Sequence, residues 1–166
     1  ALFRLIIWVV RGTPLMIQLL IIYYVVFKSV SVPKLVVATI AFAINSGAYV
    51  SEIMRGGIMS IDDGQMEAGR SLGLTYKQTM ISIILPQAIK TVLPSLANEF
   101  ISLIKETSIC GYIGLLDLTR GGDIIRSITY SPSMPLIGVA IIYLIIVQIL
   151  NLGVGKLEKN LRKNEQ

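Results

Sequence analysis

The chain has 166 residues, 54% of them hydrophobic and 15% charged, with a formal net charge of +5. A water-soluble domain carries roughly 25% charged residues to solvate its surface, so much of this surface must face lipid; disorder, collagen-like structure and coiled coil are excluded by the same figures. Histidine is absent and Cys110 stands alone, which removes imidazole chemistry, Ser-His-Asp triads, disulfides and Cys-rich metal sites.

A membrane span needs about 20 mostly apolar residues, and four stretches are long enough. The first covers 4–28, where residues 12–27 hold no charge and the apolar run 5–10 extends it across Arg11. The second covers 35–54. The third, 79–105, is interrupted by Lys90 and Glu99, and the fourth, 134–155, lies in a long stretch with no charge at all. None alternates at period two as a β-barrel strand would. The fold class expected is therefore an all-α membrane protein, a single domain over 1–166 built as a bundle of transmembrane helices, four in this fragment.

Lys and Arg sit at the ends of these runs, as membrane topology places them, and not on one soluble face as in a nucleic-acid binder. Nine of them (Arg4, Arg11, Arg55, Arg70, Lys77, Lys156, Lys159, Arg162 and Lys163) fall on the side of the N-terminus, the loop after span two and the tail. Only four, Lys28, Lys34, Arg120 and Arg126, fall on the other. The positive-inside rule makes the first side cytoplasmic, and four spans return both ends to it. The chain starts at Ala1 without a charged n-region or cleavage site, so its start reads as an N-terminal truncation rather than a signal peptide.

The loop 56–78 is too polar to cross and too patterned for a floppy linker. Asp62 or Asp63 can N-cap a short helix through 67–70, with Gly73 placed as its C′ stop. Thr75 and Gln78 fit a capping box. The expected product is a helix, a sharp turn and a second helix leading into span three. Such a knob suits a partner's groove or serves as a stable connector.

Glu67-Ala68-Gly69, three residues, Gly73, nine residues, then Ile83-Ile84-Leu85-Pro86 closely resembles the EAA loop of ATP-binding-cassette importer permeases. Arg11-Gly12-Thr13-Pro14, Asn45-Ser46-Gly47-Ala48-Tyr49, Leu85-Pro86-Gln87-Ala88 and Lys105-Glu106-Thr107-Ser108 look like the branch that takes up polar amino acids of the histidine, arginine, glutamine and glutamate type. Two departures are Gly69, where a second Ala is usual and Gly loosens the helix by up to ~1 kcal/mol, and Asp62-Asp63, where Pro and a basic residue are commoner.

The resemblance implies a permease subunit of the bacterial inner membrane that pairs with a second permease subunit, as a homodimer. A further helix would precede this point, making five in the full chain. Glu67, Ala68, Gly69, Arg70, Leu72 and Gly73 would dock each subunit on a cytoplasmic ATPase, which holds ATP and Mg, and an extracytoplasmic binding protein would deliver the amino acid. The chain itself is then not an enzyme and carries no cofactor or metal. Its Gly155-Lys156 is followed by Leu157, and Leu150 stands where a P-loop needs its first Gly. An ion-coupled carrier or channel for a small polar solute, or a structural scaffold, are the competing classes; neither needs a docking knob.

Span three carries a polar stripe. At 100° per residue, Gln87, Thr91, Ser95, Asn98, Glu99, Ser102, Lys105 and Glu106 fall within about 120° of one another, with Pro94 expected to kink the helix. A charge at mid-membrane costs about 2.5–3.5 kcal/mol on insertion scales, so such residues face interiors. They either line a path or pair structurally, Lys105 with Glu99 or Glu106. In span two, Asn45, Tyr49 and Glu52 share one side. Gly47 beside Asn45 and Ser46 either packs on a neighbour or allows an unwound turn that reaches a ligand, with 105–108 and Gly111 as the matching break. The candidate cargo site is thus Asn45, Ser46, Glu99, Ser102, Lys105, Glu106, Thr107 and Ser108. Lys105 or free backbone N–H groups would meet a carboxylate, and Glu106 or Glu99 a cationic group. Two acids against one lysine favour a basic or polar cargo such as arginine, histidine or glutamine. The segment 111–135 reads as a solvated loop or a landing surface for the binding protein, and the tail 156–166 as a solvated helix end.

Overall fold

The computed structural model describes residues 2–163, all-helical apart from turns, with no strand among the described residues. In lipid this is the economical solution, because a helix satisfies its backbone N–H and C=O groups internally.

The stretch 4–28 is not one straight span. Helix α1 (Leu2–Gly12) and helix α2 (Leu15–Ile21), which continues as a π-helical turn over Ile22–Val26, meet at 107°. The cause is Pro14, which has no N–H to extend α1 and disfavours helical backbone at Thr13. Carbonyls left over at the break find donors. Thr13 Oγ1 donates to Val9 O at 2.9 Å, and Gln18 Nε2 donates to Val10 O at 2.6 Å and to Thr13 O at 3.1 Å.

Helix α3 (Lys34–Met59) has 26 residues, about 39 Å at 1.5 Å per residue. It therefore outruns the expected span 35–54 and carries Arg55 to Met59 beyond a hydrocarbon core of about 30 Å. No unwound turn exists at Asn45-Ser46-Gly47; α3 passes straight through. Ala38, Ala41, Asn45 and Ala48 are all buried at helical spacing, so this face is held against neighbours and has no reason to open.

Within the loop, helix α4 (Asp63–Ser71) is followed by one helical run from Tyr76 to Ile113. Within that run, helix α5 (Tyr76–Thr79) passes through a π turn (Met80–Ile84) into helix α6 (Leu85–Glu106), then a 3₁₀ segment (Thr107–Ile113). The π turn lies just before Pro86, whose missing N–H would leave an ordinary α-helical ladder incomplete. Pro94 sits inside α6 without ending it. Gly114 at φ +78 stops the 3₁₀ segment.

The supposed loop 111–135 contains helix α7 (Leu118–Thr129). Asp117 caps it, Oδ1 accepting from Arg120 N–H at 2.6 Å, while Oδ2 accepts from Gly111 N–H at 3.0 Å and ties α7 to the 3₁₀ segment. Helix α8 (Met134–Lys163) extends the fourth span through most of the tail; residues 164–166 of that predicted tail lie outside the described residues.

Two buried layers hold the bundle. Leu19, Ala38, Ala41, Cys110 and Ile113 join α2, α3 and the 3₁₀ segment. Ile84 of the π turn, Ala88 and Val92 form the second, where α6 meets the C-terminal half of α3 around Gly57. Helix α8 packs on α6 and α7 but buries none of its span within this chain, leaving its apolar side chains for lipid or another subunit.

Candidate functional site

The loop between α3 and α5 is a built structure. Asp62, not Asp63, is the N-cap: its Oδ1 accepts from Gly64 N–H at 2.8 Å. Asp63 occupies the first turn, where a negative charge complements the helix dipole. At the other end Gly73 adopts φ +86, a backbone region that glycine alone enters without cost. Gly73 N–H donates to Arg70 O at 3.0 Å and Leu74 N–H to Gly69 O at 3.2 Å, the bond pair of a Schellman motif. The capping box follows, with Thr75 N–H donating to Gln78 Oε1 at 2.9 Å and Gln78 N–H to Thr75 Oγ1 at 3.3 Å.

These caps fix which side of α4 looks outward. Glu67, Ala68, Arg70 and Leu72 are exposed, Leu72 to 82%. Gly69 is buried against Thr79 and Ile83. Of the six residues of the predicted docking set, Glu67, Ala68, Arg70 and Leu72 thus form an outward ledge, Gly69 lies buried behind it and Gly73 stops the helix.

The eight candidate cargo residues do not form one site within this chain. Asn45 is 3% exposed and donates from Nδ2 to Gln18 Oε1 at 3.1 Å. Gln18 in turn holds the Pro14 break, so Asn45 serves the corner between α1 and α2. Glu52, further along the same side of α3, is bonded by both Arg11, at 3.4 Å, and Arg55. The Arg11 guanidinium lies 5.2 Å from the Tyr49 ring centroid, within cation–π range. Sequence reasoning missed Gln18, four residues after Pro14; the Gly-Thr-Pro triplet was the available signal, since a broken helix end must find donors.

Ser46 and Thr107 do come together, in a groove of about 500 Å³ between α3 and α6 that Gly47 and Phe100 also line. On the helical wheel Phe100, Leu103, Ile104 and Thr107 lie roughly opposite the polar stripe. The groove and the stripe are thus on different sides of α6. Ser108 borders a third place, a cavity of about 150 Å³ beside Gly111, Arg120 and Asp123. Glu99, Ser102, Lys105 and Glu106 remain together on one face. Among the described residues no ion pair joins Lys105 to either acid, so the charges are not consumed by one another. Two carboxylates, one ammonium and a hydroxyl can bind both ends of a zwitterion.

Residues 1–163 match the family described as binding-protein-dependent transport system inner membrane component. The arginine transport system permease protein ArtQ of Bacillus subtilis is 40% identical, across 98% of this chain and 78% of its own length. The glutamine transport system permease protein GlnP of Escherichia coli K12 is 38% identical, across 93% of this chain and 72% of its own. The crystal structure of an amino acid ABC transporter with histidines is similar with a TM-score of 0.88 at 45% identity, covering 93% of this chain and 73% of that one. A family match from one end of the described helices to the other leaves no segment of the bundle unaccounted for: the chain belongs to the inner membrane components of binding-protein-dependent transport systems.

Proposed function

We propose that this chain is the membrane-spanning subunit of an ATP-driven importer of polar amino acids, with arginine, histidine and glutamine the leading cargoes. The observation that carries this reading is the ledge on α4. It stands outside the long spans, is capped at both ends, and leaves Leu72 and Arg70 exposed among the described residues. An exposed, conformationally fixed helix with an apolar residue at its edge is suited to a partner's groove. That partner is the ATPase, which supplies ATP and Mg; this chain hydrolyses nothing. The similarity to arginine and glutamine permeases supports the cargo class.

In this reading the α4 ledge and the C-terminal end are cytoplasmic, in the bacterial inner membrane, and α7 faces the binding protein. A second, identical subunit covers the stripe of Glu99, Ser102, Lys105 and Glu106, so the path runs between subunits. The stripe carries the polar groups that a zwitterion requires, whereas Asn45 is already engaged by Gln18.

Reconstitution with the ATPase tests this. Binding protein loaded with arginine, histidine or glutamine should stimulate ATP hydrolysis and drive uptake. Uptake that persists without ATP and follows an imposed ion gradient would replace this reading with an ion-coupled carrier.

A further inference from the structure

Helix α1 has a division of labour that neither the ledge nor the stripe uses. At 100° per residue, Arg4, Ile7, Trp8 and Arg11 occupy an arc of about 100°, and Leu2, Phe3, Leu5, Ile6 and Val9 fill the rest. No residue of α1 is buried, and Phe3 is 80% exposed. Eleven residues make only about 16 Å, too short to cross. The 107° turn into α2 sets α1 nearly at right angles to a helix that enters the bilayer. A short amphipathic helix in that attitude lies in the membrane interface, apolar side inward.

The basic side of α1 faces the end of α3 across a cleft of about 580 Å³ lined by Arg4, Trp8, Arg11, Glu52 and Arg55. Three guanidiniums meet one carboxylate there, and that carboxylate is shared by Arg11 and Arg55. Arg4 has no ion-pair partner among the described residues. The cleft therefore holds an excess of positive charge, and Trp8, 73% exposed at its edge, is of the type that settles at headgroup depth.

We infer that this cleft binds the phosphate of an acidic phospholipid such as phosphatidylglycerol. Guanidinium forks match phosphate oxygens in pairs. A lipid is favoured over a soluble anion because the apolar arc of α1 lies where acyl chains would. A zwitterionic headgroup would bring an ammonium against the arginines. Which leaflet supplies the lipid rests on the orientation proposed above; the existence of the site does not.

The test uses the permease–ATPase complex in phosphatidylcholine nanodiscs with added phosphatidylglycerol, and reads lipid retention by native mass spectrometry. Phosphatidylglycerol should be retained over phosphatidylcholine, with Arg4→Ala and Arg55→Ala each weakening retention about fivefold. Trp8 fluorescence should be quenched by brominated phosphatidylglycerol, a signal identified by its loss in Trp8→Phe. Basal ATP hydrolysis should be unchanged in Arg4→Ala, showing an assembled complex. Equal retention of the two lipids, or retention indifferent to Arg4→Ala, would overturn the site. Displacement by inorganic phosphate or glycerol phosphate would overturn a lipid occupant in favour of a free anion. Trp8 shielded from the lipid quencher but crosslinked to protein would overturn it in favour of another chain. None of these readouts depends on cargo uptake, so a wrong cargo class leaves them intact.

Discussion

Thr79 occupies the space that a side chain at Gly69 would need: a Cβ built on Gly69 lies 2.5 Å from Thr79 Cγ2 and 2.9 Å from Thr79 Oγ1. Thr79 is fully buried, and its Oγ1 donates to Thr75 O at 3.1 Å. The docking helix is thereby seated on the first turn of the helical run that becomes span three. If α4 docks on a partner as proposed, a displacement of it would pass to Tyr76–Ile113 through this contact rather than be absorbed by a slack loop. The glycine that departs from the usual EAA pattern has its reason here.

Gly69→Ala should accordingly weaken the seat despite the better helix propensity of Ala. Overpacking a fitted site costs about 1–3 kcal/mol, more than the ~1 kcal/mol that Ala gains over Gly in a helix. Thr79→Ala removes both obstructing atoms, so the double variant should regain stability beyond the sum of the single effects. A thermal-unfolding double-mutant cycle on the purified permease checks this. Additive effects would mean the two helices do not bear on each other.

Gly73 offers a second test, of conformation rather than space. At φ +86 a β-branched residue is strained, by about 1–3 kcal/mol. Gly73→Val should abolish substrate-stimulated ATP hydrolysis while the spans still insert. Gly73→Asn, which enters the left-handed region more readily, should retain an intermediate level. Normal stimulation in Gly73→Val would detach the Schellman turn from coupling.

The Gln18–Asn45 bond predicts a stability effect without a cargo effect. Asn45→Ala leaves the Gln18 carbonyl without its donor in a buried corner, at a cost of about 1–3 kcal/mol. The melting temperature in detergent should fall, whereas cargo affinity of the protein that remains folded should not change. A selective loss of affinity would return Asn45 to the cargo site.

These cases mark what could be read from residue order. The caps of α4 and α5 were legible because capping is local: Asp62 and Gly73 for α4, and Thr75 and Gln78 for α5, lie within one or two turns of their partners. The polar stripe was legible because its period is that of one helix. That Asn45, the Ser46–Thr107 groove and Ser108 lie apart from the stripe within this chain was not legible, because it depends on contacts of α6 and the 3₁₀ segment with distant segments. The bend at Pro14 was hidden by hydropathy on both sides of it, which a window over 4–28 averages together. Helix α7 was hidden for the opposite reason: three Gly and Asp residues at 121–123 read as a loop until Asp117 capped the helix from outside.

The cargo surface gives the sharpest prediction. If Glu99, Ser102, Lys105 and Glu106 face the path, Glu106→Gln keeps shape and one acceptor oxygen but loses the charge that meets a cationic group. Charge-assisted hydrogen bonds contribute about 1.5–3 kcal/mol, so affinity should fall roughly ten- to a hundredfold for arginine and less for glutamine. Lys105→Met, which loses the partner of a carboxylate, should weaken all amino acids alike. ATP hydrolysis uncoupled from cargo should persist in both variants, because the α4 ledge is untouched. Radiolabelled uptake of arginine, histidine and glutamine that ignored both substitutions would make the stripe structural, and would move the search to the Ser46–Thr107 groove on the other side of α6.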